Sequence, residues 1–292
     1  MSYSGNPKSK ILVIGAYGFL GKHITNYFFK KGHKLFLVVK STSYIPVEIS
    51  NLNLPVFYSD RPDLLDQIDN LKFDVVLNAS VDYGKNNNKK EVWECNVNLP
   101  LRILKKVGNE KLLFVHFDTF FRKFSEFKYL PLYTSSKREF SQKLKLFSNC
   151  KTVGLQLEHL YGENDSPTKF ISTIIDSLKS NKDKIQLTSG EQKRDFIYVG
   201  DLLVLMDKLV LVRENLALKN YLFEIGTGES ISIKNFVVEI KHQLKSTSRL
   251  AFGALPMREN EIMESKADLK KLNNILSWRP KVNFKQGISR LI

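Results

Sequence analysis

The stretch at residues 10–39, KILVIGAYGFLGKHITNYFFKKGHKLFLVV, reads as strand, turn, helix, turn and strand. Ile11–Ile14 is an unbroken run of leucine and β-branched residues, the pattern of a strand covered on both faces. Gly15, Gly18 and Gly21 follow as GxxGxxG, and Leu20, Ile24, Tyr27 and Phe28 then recur at helical spacing until Gly32. KLFLVV begins the second strand. In this setting the glycines permit a tight turn, close approach of backbone amides to a pyrophosphate, and a helix packed on the strand with its positive end toward the phosphates. The prediction is an α/β Rossmann fold, a doubly wound parallel sheet that binds a dinucleotide, with Gly15, Tyr17, Gly18, Phe19, Leu20 and Gly21 around the phosphates.

The second strand ends in an unusual way for such a site. An NAD site commonly offers an acid to the adenosine ribose there, whereas this chain offers Lys40, Ser41 and Thr42, a cation and hydroxyls suited to a 2′-phosphate. The expected cofactor is therefore NADPH. A third strand, residues 55–58, leads to Asp60, a candidate partner for the adenine amide. A fourth, residues 74–78, ends at Asn78, Ala79 and Ser80, where small residues admit a cofactor. The helical stretch VWECNVNLPLRILKKV places Val92, Val97, Leu101 and Leu104 on the sheet, with Asn96 and Asn98 as polar exceptions; Asn96 is expected at the cofactor. KLLFVHF, residues 111–117, is the next strand, with Asp118 and Thr119 at the carboxyl edge where open α/β sheets bind ligands.

Tyr-x-x-x-Lys occurs twice, as YFFKK (residues 27–31) and as YTSSK (residues 133–137). Tyr27 and Lys31 close the first helix, on the side away from the strands' carboxyl ends, which makes them structural. Tyr133 and Lys137 follow the strand that carries Thr119, and a helix beginning near Thr134 puts them on adjacent turns of one face.

Composition sets the outer bounds. The 292 residues, 42% hydrophobic and 26% charged, fit one large α/β domain or a domain with a smaller lobe. No apolar run approaches the ~20 residues that span a bilayer, and the polar opening MSYSGNPKSK lacks a signal-peptide core, so a cytoplasmic enzyme without a membrane is expected. Cys95 and Cys150 stand far apart and outside any metal-ligand pattern, giving no disulfide and no metal. The net charge of +15 is scattered rather than gathered in an arginine block, which argues against nucleic acid as partner.

With GAYGFLG, the set Thr119, Tyr133 and Lys137, EHLYG, GEQKRDFIYVGDLL, EIGTGESISI, and FGALPMRENEIMESKADLKKL followed by SWRP, the chain resembles the extended short-chain dehydrogenases/reductases over nearly its whole length. That branch holds nucleotide-sugar epimerases, dehydratases and ketoreductases. VDYGK, FDTFF, LEHLYG and GEQKRDFIYV are most similar to its reductases of CDP-linked dideoxyhexoses. The resemblance implies an NADPH-dependent reductase of a CDP-linked deoxysugar, the alternatives being a reductase that gives the opposite C4 epimer, another nucleotide-sugar epimerase or reductase, and an idle nucleotide-binding protein; it also implies a homodimer.

It also implies roles. Tyr133 acts as the acid, Lys137 lowers its pKa and holds the cofactor ribose, and Thr119 holds the ketone. Tyr83, His159, Lys169, Arg194, Arg258 and Glu261 bind the substrate, with Arg258 and Glu261 in MRENE as the diphosphate and ribose clamp. Asp118, and the phenylalanines after Thr119, depart from the commoner pattern; Asp118, Asp195 and Asp201 are read as structural. The substrate lobe is expected to be discontinuous, with residues 1–160 and 195–226 binding the cofactor and 161–194 and 227–292 binding the sugar nucleotide.

Overall fold

The computed structural model describes residues 8–124, 129–147 and 149–292; most of the polar opening lies outside them. The chain forms two compact units, taken here over their described residues. The first comprises Met1–Arg122, Lys128–Gln156 and Leu203–Phe223, the second Lys123–Phe127, Leu157–Leu202 and Glu224–Ile292.

The first unit carries the sheet. In chain order its elements begin with β1 (Lys10–Ile14), α1 (Phe19–Lys30), β2 (Lys34–Val39), α2 (Val47–Ser50), β3 (Val56–Tyr58), α3 (Leu64–Asp69) and β4 (Val75–Asn78). They continue with α4 (Lys89–Trp93), a π-helical turn Glu94–Asn98, α5 (Leu99–Val107), β5 (Leu113–Thr119), a 3-10 turn Phe120–Lys123, α6 (Pro131–Leu144) and β6 (Lys151–Leu157). The rest of the chain, most of it in the second unit, forms β7 (His159–Tyr161), α7 (Phe170–Lys179), β8 (Lys184–Gln186), β9 (Lys193–Arg194), β10 (Phe196–Tyr198), α8 (Val199–Val212), a 3-10 turn Arg213–Asn215, β11 (Asn220–Ile225), β12 (Ile231–Ser232), α9 (Ile233–Leu244), β13 (Arg249–Ala251), β14 (Glu264–Ser265), α10 (Lys270–Leu276) and α11 (Phe284–Ser289).

The seven-stranded sheet has the order β11-β6-β5-β4-β1-β2-β3, the doubly wound arrangement in which the chain reverses direction beside β1. Pairings from β3 through β5 are parallel, with Ile14 opposite Asn78 and Asn78 opposite His116. The predicted fold class is therefore the one observed. Parallel strands are covered on both faces; Leu12, Ile14, Val76 and Phe114 of the sheet share one core with Val97, Ile103 and Leu104 and with Phe140 and Leu144 of α6.

Two local expectations shift. The fifth strand runs on through Thr119, because Asp118 and Thr119 are themselves buried. The helix α6 starts at Pro131, a residue whose fixed φ suits the first helical turn, so Tyr133 already lies inside it. Its N-cap, Leu130, is left-handed at φ 54°, a conformation that costs a non-glycine residue about 1 kcal/mol or more.

The second unit is tied together by Asp195. This fully buried carboxylate accepts hydrogen bonds from Thr227 N (2.7 Å) and Oγ1 (2.7 Å), Gly228 N (2.9 Å) and Ala267 N (3.1 Å). β10 pairs with β7, and β9 with both β12 and β14. These contacts group residues 157–160, 195–202 and 224–226 with the second unit, although their motifs had suggested the nucleotide-binding part. Phe196 stacks on Phe236 at 3.9 Å, and Tyr161 packs edge-on to both.

Replacing Asp195 by Ala strands three amides and a hydroxyl, and should lower unfolding stability by about 3 kcal/mol. Chemical denaturation followed by circular dichroism reads this directly; a loss near zero would remove Asp195 from its place as the unit's anchor.

Candidate active site

The glycine turn is shaped by backbone contact. Gly15 sits at φ +76°, and a Cβ there would lie 2.6 Å from Ser80 N; a Cβ on Gly21 would run into the Gly15 carbonyl. Gly18 differs. Its φ is −69°, and an added Cβ would meet only the Gly15 carbonyl oxygen, at 3.4 Å, so protein packing does not account for a glycine there.

α1 begins at Gly18 with no side-chain cap and no acid in its first turn. Its leading amides and the positive end of its dipole are thus left for an anion. An open cradle above Gly18 with an unneutralised helix end fits the pyrophosphate of a dinucleotide. Phe19 and Leu20 are half-buried beside it, as is Tyr17, whose pKa burial and then Tyr58 push up.

At the adenosine end, Lys40, Ser41 and Thr42 are exposed. Asp60 accepts from Ser41 N at 2.9 Å and from Ser41 Oγ at 2.5 Å, and the Ser41 side chain is the main cause that holds its carboxyl below the usual range. The Ser41 hydroxyl, expected to face a phosphate, thus donates to a neighbouring carboxylate. Asn78 and Ser80 are buried, with Ser80 Oγ donating to Asn78 Oδ1 at 2.7 Å; Ala79 between them is half-buried.

Asn96 departs from expectation. Its Nδ2 donates to the Asp82 carbonyl (2.8 Å) and to Ser136 Oγ (2.9 Å), and its Oδ1 accepts from Asp82 N (2.8 Å). With both ends of the amide so engaged, Asn96 holds the 80–84 loop to α6 rather than offering itself to a ligand. Ser136 completes the tie by donating to the Tyr133 carbonyl at 2.8 Å. Its position one residue before Lys137 was visible in the sequence, but its partner, 40 residues away, had no local signal.

Thr119, Tyr133 and Lys137 converge in the first unit and are all buried. The Thr119 side chain lies near enough to the Tyr133 phenol to lower its pKa, Phe121 N donates to Thr119 Oγ1 at 3.3 Å, and the Thr119 carbonyl accepts from Gln156 at 3.1 Å. The Tyr83 ring lies 5.1 Å from that of Tyr133. Lys137 Nζ is 5.8 Å from the Tyr133 ring centroid and donates to the Phe117 carbonyl at 2.9 Å.

Electrostatics correct one expectation. Burial pushes the Tyr133 pKa well above its ordinary value, with Tyr83 and Asp118 adding to the rise and only the Thr119 side chain opposing it. Lys137 was expected to lower it, but it is not among the influences on the phenol, and burial disfavours any charged form; the same burial pulls Lys137 itself downward against Asp118 and Cys95.

The other copy of the spacing has a separate role. Lys31 pairs with Asp207 at 3.0 Å and Tyr27 OH donates to it at 3.5 Å, a tie between α1 and α8.

The second unit holds the remaining candidates. Arg194, buried, donates to Glu261 at 2.5 Å and to the Lys193 carbonyl at 2.8 Å. Two residues expected to meet the substrate separately thus meet each other. Arg258 is exposed and close enough to Arg194 to depress its pKa, a smaller cause than burial. His159 is pushed down to about 3 by burial, then by Arg194 and Lys169, and so is neutral at pH 7. Lys169 is half-buried at the N-cap of α7. Among the described residues no group of three or more His, Cys, Asp or Glu is placed to hold a metal ion, and no helix is long and apolar enough to cross a membrane.

Comparison with known proteins follows the same lines. The model of the NAD dependent epimerase/dehydratase family matches residues 11–226. A protein named CDP-abequose synthase from Salmonella muenchen is 32% identical over 97% of each chain, and one of the same name from Salmonella typhimurium is 31% identical over 98% of each. Among solved structures, the UDP-glucose 4-epimerase of Thermotoga maritima with UDP-glucose superposes with a TM-score of 0.81 at 21% identity, covering 96% of each chain. The Bordetella bronchiseptica enzyme WbmG in complex with NAD gives 0.82 at 19% identity, covering 99% of this chain and 94% of that one.

The cradle makes a prediction that separates fold from binding. Gly18→Ala should cost at most about 1 kcal/mol of stability, the scale of a changed N-cap, while weakening nicotinamide dinucleotide binding about tenfold by calorimetry. Equal affinity in the two proteins would remove the phosphates from that turn.

Proposed function

The chain belongs to the NAD dependent epimerase/dehydratase family, and we propose that within it the protein is an NADPH-dependent 4-ketoreductase. Its substrate is CDP-4-dehydro-3,6-dideoxy-D-glucose and its product CDP-abequose, made in the cytoplasm by a homodimer for the O-antigen of a surface polysaccharide. The observation that carries this reading is the buried convergence of Thr119, Tyr133 and Lys137 at the end of β5. The likeness to two CDP-abequose synthases over nearly the full chain supports the choice of sugar.

Ketone reduction needs a hydride on one face of the carbonyl and a proton for its oxygen as charge develops. A dinucleotide held by the glycine turn would supply the hydride. The Thr119 hydroxyl, which accepts from Phe121 N at 3.3 Å beside the Tyr133 phenol, orients the ketone oxygen. The Tyr133 hydroxyl donates the proton; its raised pKa keeps that proton in place until the oxyanion forms. Lys137, an ammonium 5.8 Å from the ring centroid, stabilises the phenolate left behind.

In the second unit, the Arg194–Glu261 pair braces the strand β9 and the segment after Arg258, whose guanidinium, with Lys169, suits a diphosphate. His159, neutral at pH 7, would face the sugar without a charge. A reductase consumes its cofactor at every turnover, in keeping with exposed Lys40 and Thr42 as contacts for a 2′-phosphate, while the Ser41–Asp60 bonds order the loop between them.

The decisive experiment incubates the purified protein with the CDP-linked 4-ketosugar and NADPH and identifies the product by NMR. CDP-abequose with stoichiometric NADPH oxidation is expected; CDP-paratose, or epimerisation without net oxidation, overturns the reading. Tyr133→Phe should reduce kcat by roughly 10³-fold with cofactor affinity retained, while Tyr27→Phe leaves kcat unchanged. Lys40→Ala should lower kcat/KM for NADPH about tenfold, the scale of one lost charge-assisted contact, and leave NADH unaffected.

A further inference from the structure

Asp118 has no part in the hydride and proton path, yet its side chain is 1% exposed directly beside it. Its Oδ1 accepts the Thr119 backbone N–H at 2.8 Å. Its Oδ2 accepts from Ser141 Oγ at 3.1 Å and from Arg122 Nη1, which also donates to Ser141 Oγ at 2.8 Å. Ser141 lies four residues beyond Lys137, which lies four beyond Tyr133, so the three share one face of α6. One carboxylate thereby joins the end of β5 to the face of the helix that carries both candidate proton-handling groups.

The charges around it are arranged to matter. Lys137 faces Asp118 from β5 and Cys95 from the π-helical turn; burial disfavours its ammonium, and Asp118 is the larger of the two influences that oppose burial. Tyr133 faces Tyr83, Thr119 and Asp118. Asp118 itself faces Arg122, Ser141 and His116; the last is pushed down to about 4 by burial and brings no charge at neutral pH.

We propose that Asp118 is the positioning residue of this site, holding Thr119 against the Tyr133–Lys137 face of α6 and supplying a negative charge to the buried surroundings of Lys137. Arg122 and Ser141 fix the carboxylate in place. The proposal rests on the reading that Tyr133 and Lys137 handle the proton, and its test separates the two.

Removing a negative charge lowers the pKa of both neighbours, and removing a positive one raises it. In Asp118→Asn, kcat should fall about 10- to 100-fold, the scale of a misplaced reacting group, with KM for the cofactor nearly unchanged. The alkaline limb of its pH–kcat profile should move to lower pH by roughly one unit. Arg122→Gln should move that limb upward, and Ser141→Ala should lower kcat with the limb unmoved. The Lys137 ammonium, titrated by NMR in the full chain with isotope-labelled lysine and assigned through Lys137→Arg, should shift in the same directions without any turnover. Opposite shifts for Asp118→Asn and Arg122→Gln support the proposal, because a merely structural role cannot produce them. Shifts of one sign, or none beside lost stability, overturn it. Should Asp118→Asn fail to fold, the Arg122→Gln titration decides alone: an upward shift supports the proposal and an unmoved or lowered Lys137 overturns it. A wild-type protein that leaves the CDP-sugar unreduced defeats the functional reading, while the titration still decides this one.

Discussion

Two backbones touching without side chains between them fix the geometry of the first unit: Gly15 at the end of β1 against Ala79 and Ser80 beyond β4. That approach brings the ends of the two strands level, in keeping with Ile14 opposite Asn78. Because Asn78 in turn lies opposite His116, β5 continues three residues further and carries Thr119 past the end of its neighbour. The loop that leaves Ser80 is fastened by Asn96, and Asn96 reaches Ser136 on α6. From the Gly15 contact the links run through Asp82, Asn96 and Ser136 to the Tyr133 carbonyl.

Within that frame, burial is the force to be managed. It raises the pKa of Tyr133 and lowers that of Lys137, so it favours the uncharged form of each. A low-dielectric setting also magnifies every charge that does enter it. A site of this kind responds strongly to a single carboxylate or to the charge of a bound cofactor, which an exposed Tyr-Lys pair would barely feel.

Much of this was legible in the sequence where the signal is local. The β1–turn–α1 unit, the strand that delivers Thr119, and the distinction between the two Tyr-x-x-x-Lys copies all rest on periodicity and order along the chain. Tyr27 and Lys31 indeed hold Asp207. What escaped were pairings between distant side chains. Arg194 and Glu261 are 67 positions apart, and neither segment announces the other. Asn96 read as a polar intruder on an apolar helix because its partners lie on a loop and on another helix. The direction of the Tyr133 shift was missed for a related reason, since spacing reports which groups are near and says nothing of how dry their surroundings are.

The π-helical turn Glu94–Asn98 between α4 and α5 amounts to one residue more than a regular helix needs. That surplus lets α5 point Ile103 and Leu104 at the sheet core while Asn96 faces the loop and α6. Deleting a residue there would regularise the helix and turn one side by about 100° relative to the other. Either the core or the tie to Ser136 would then be lost, so this short segment resists changes in length even where it tolerates changes in residue type.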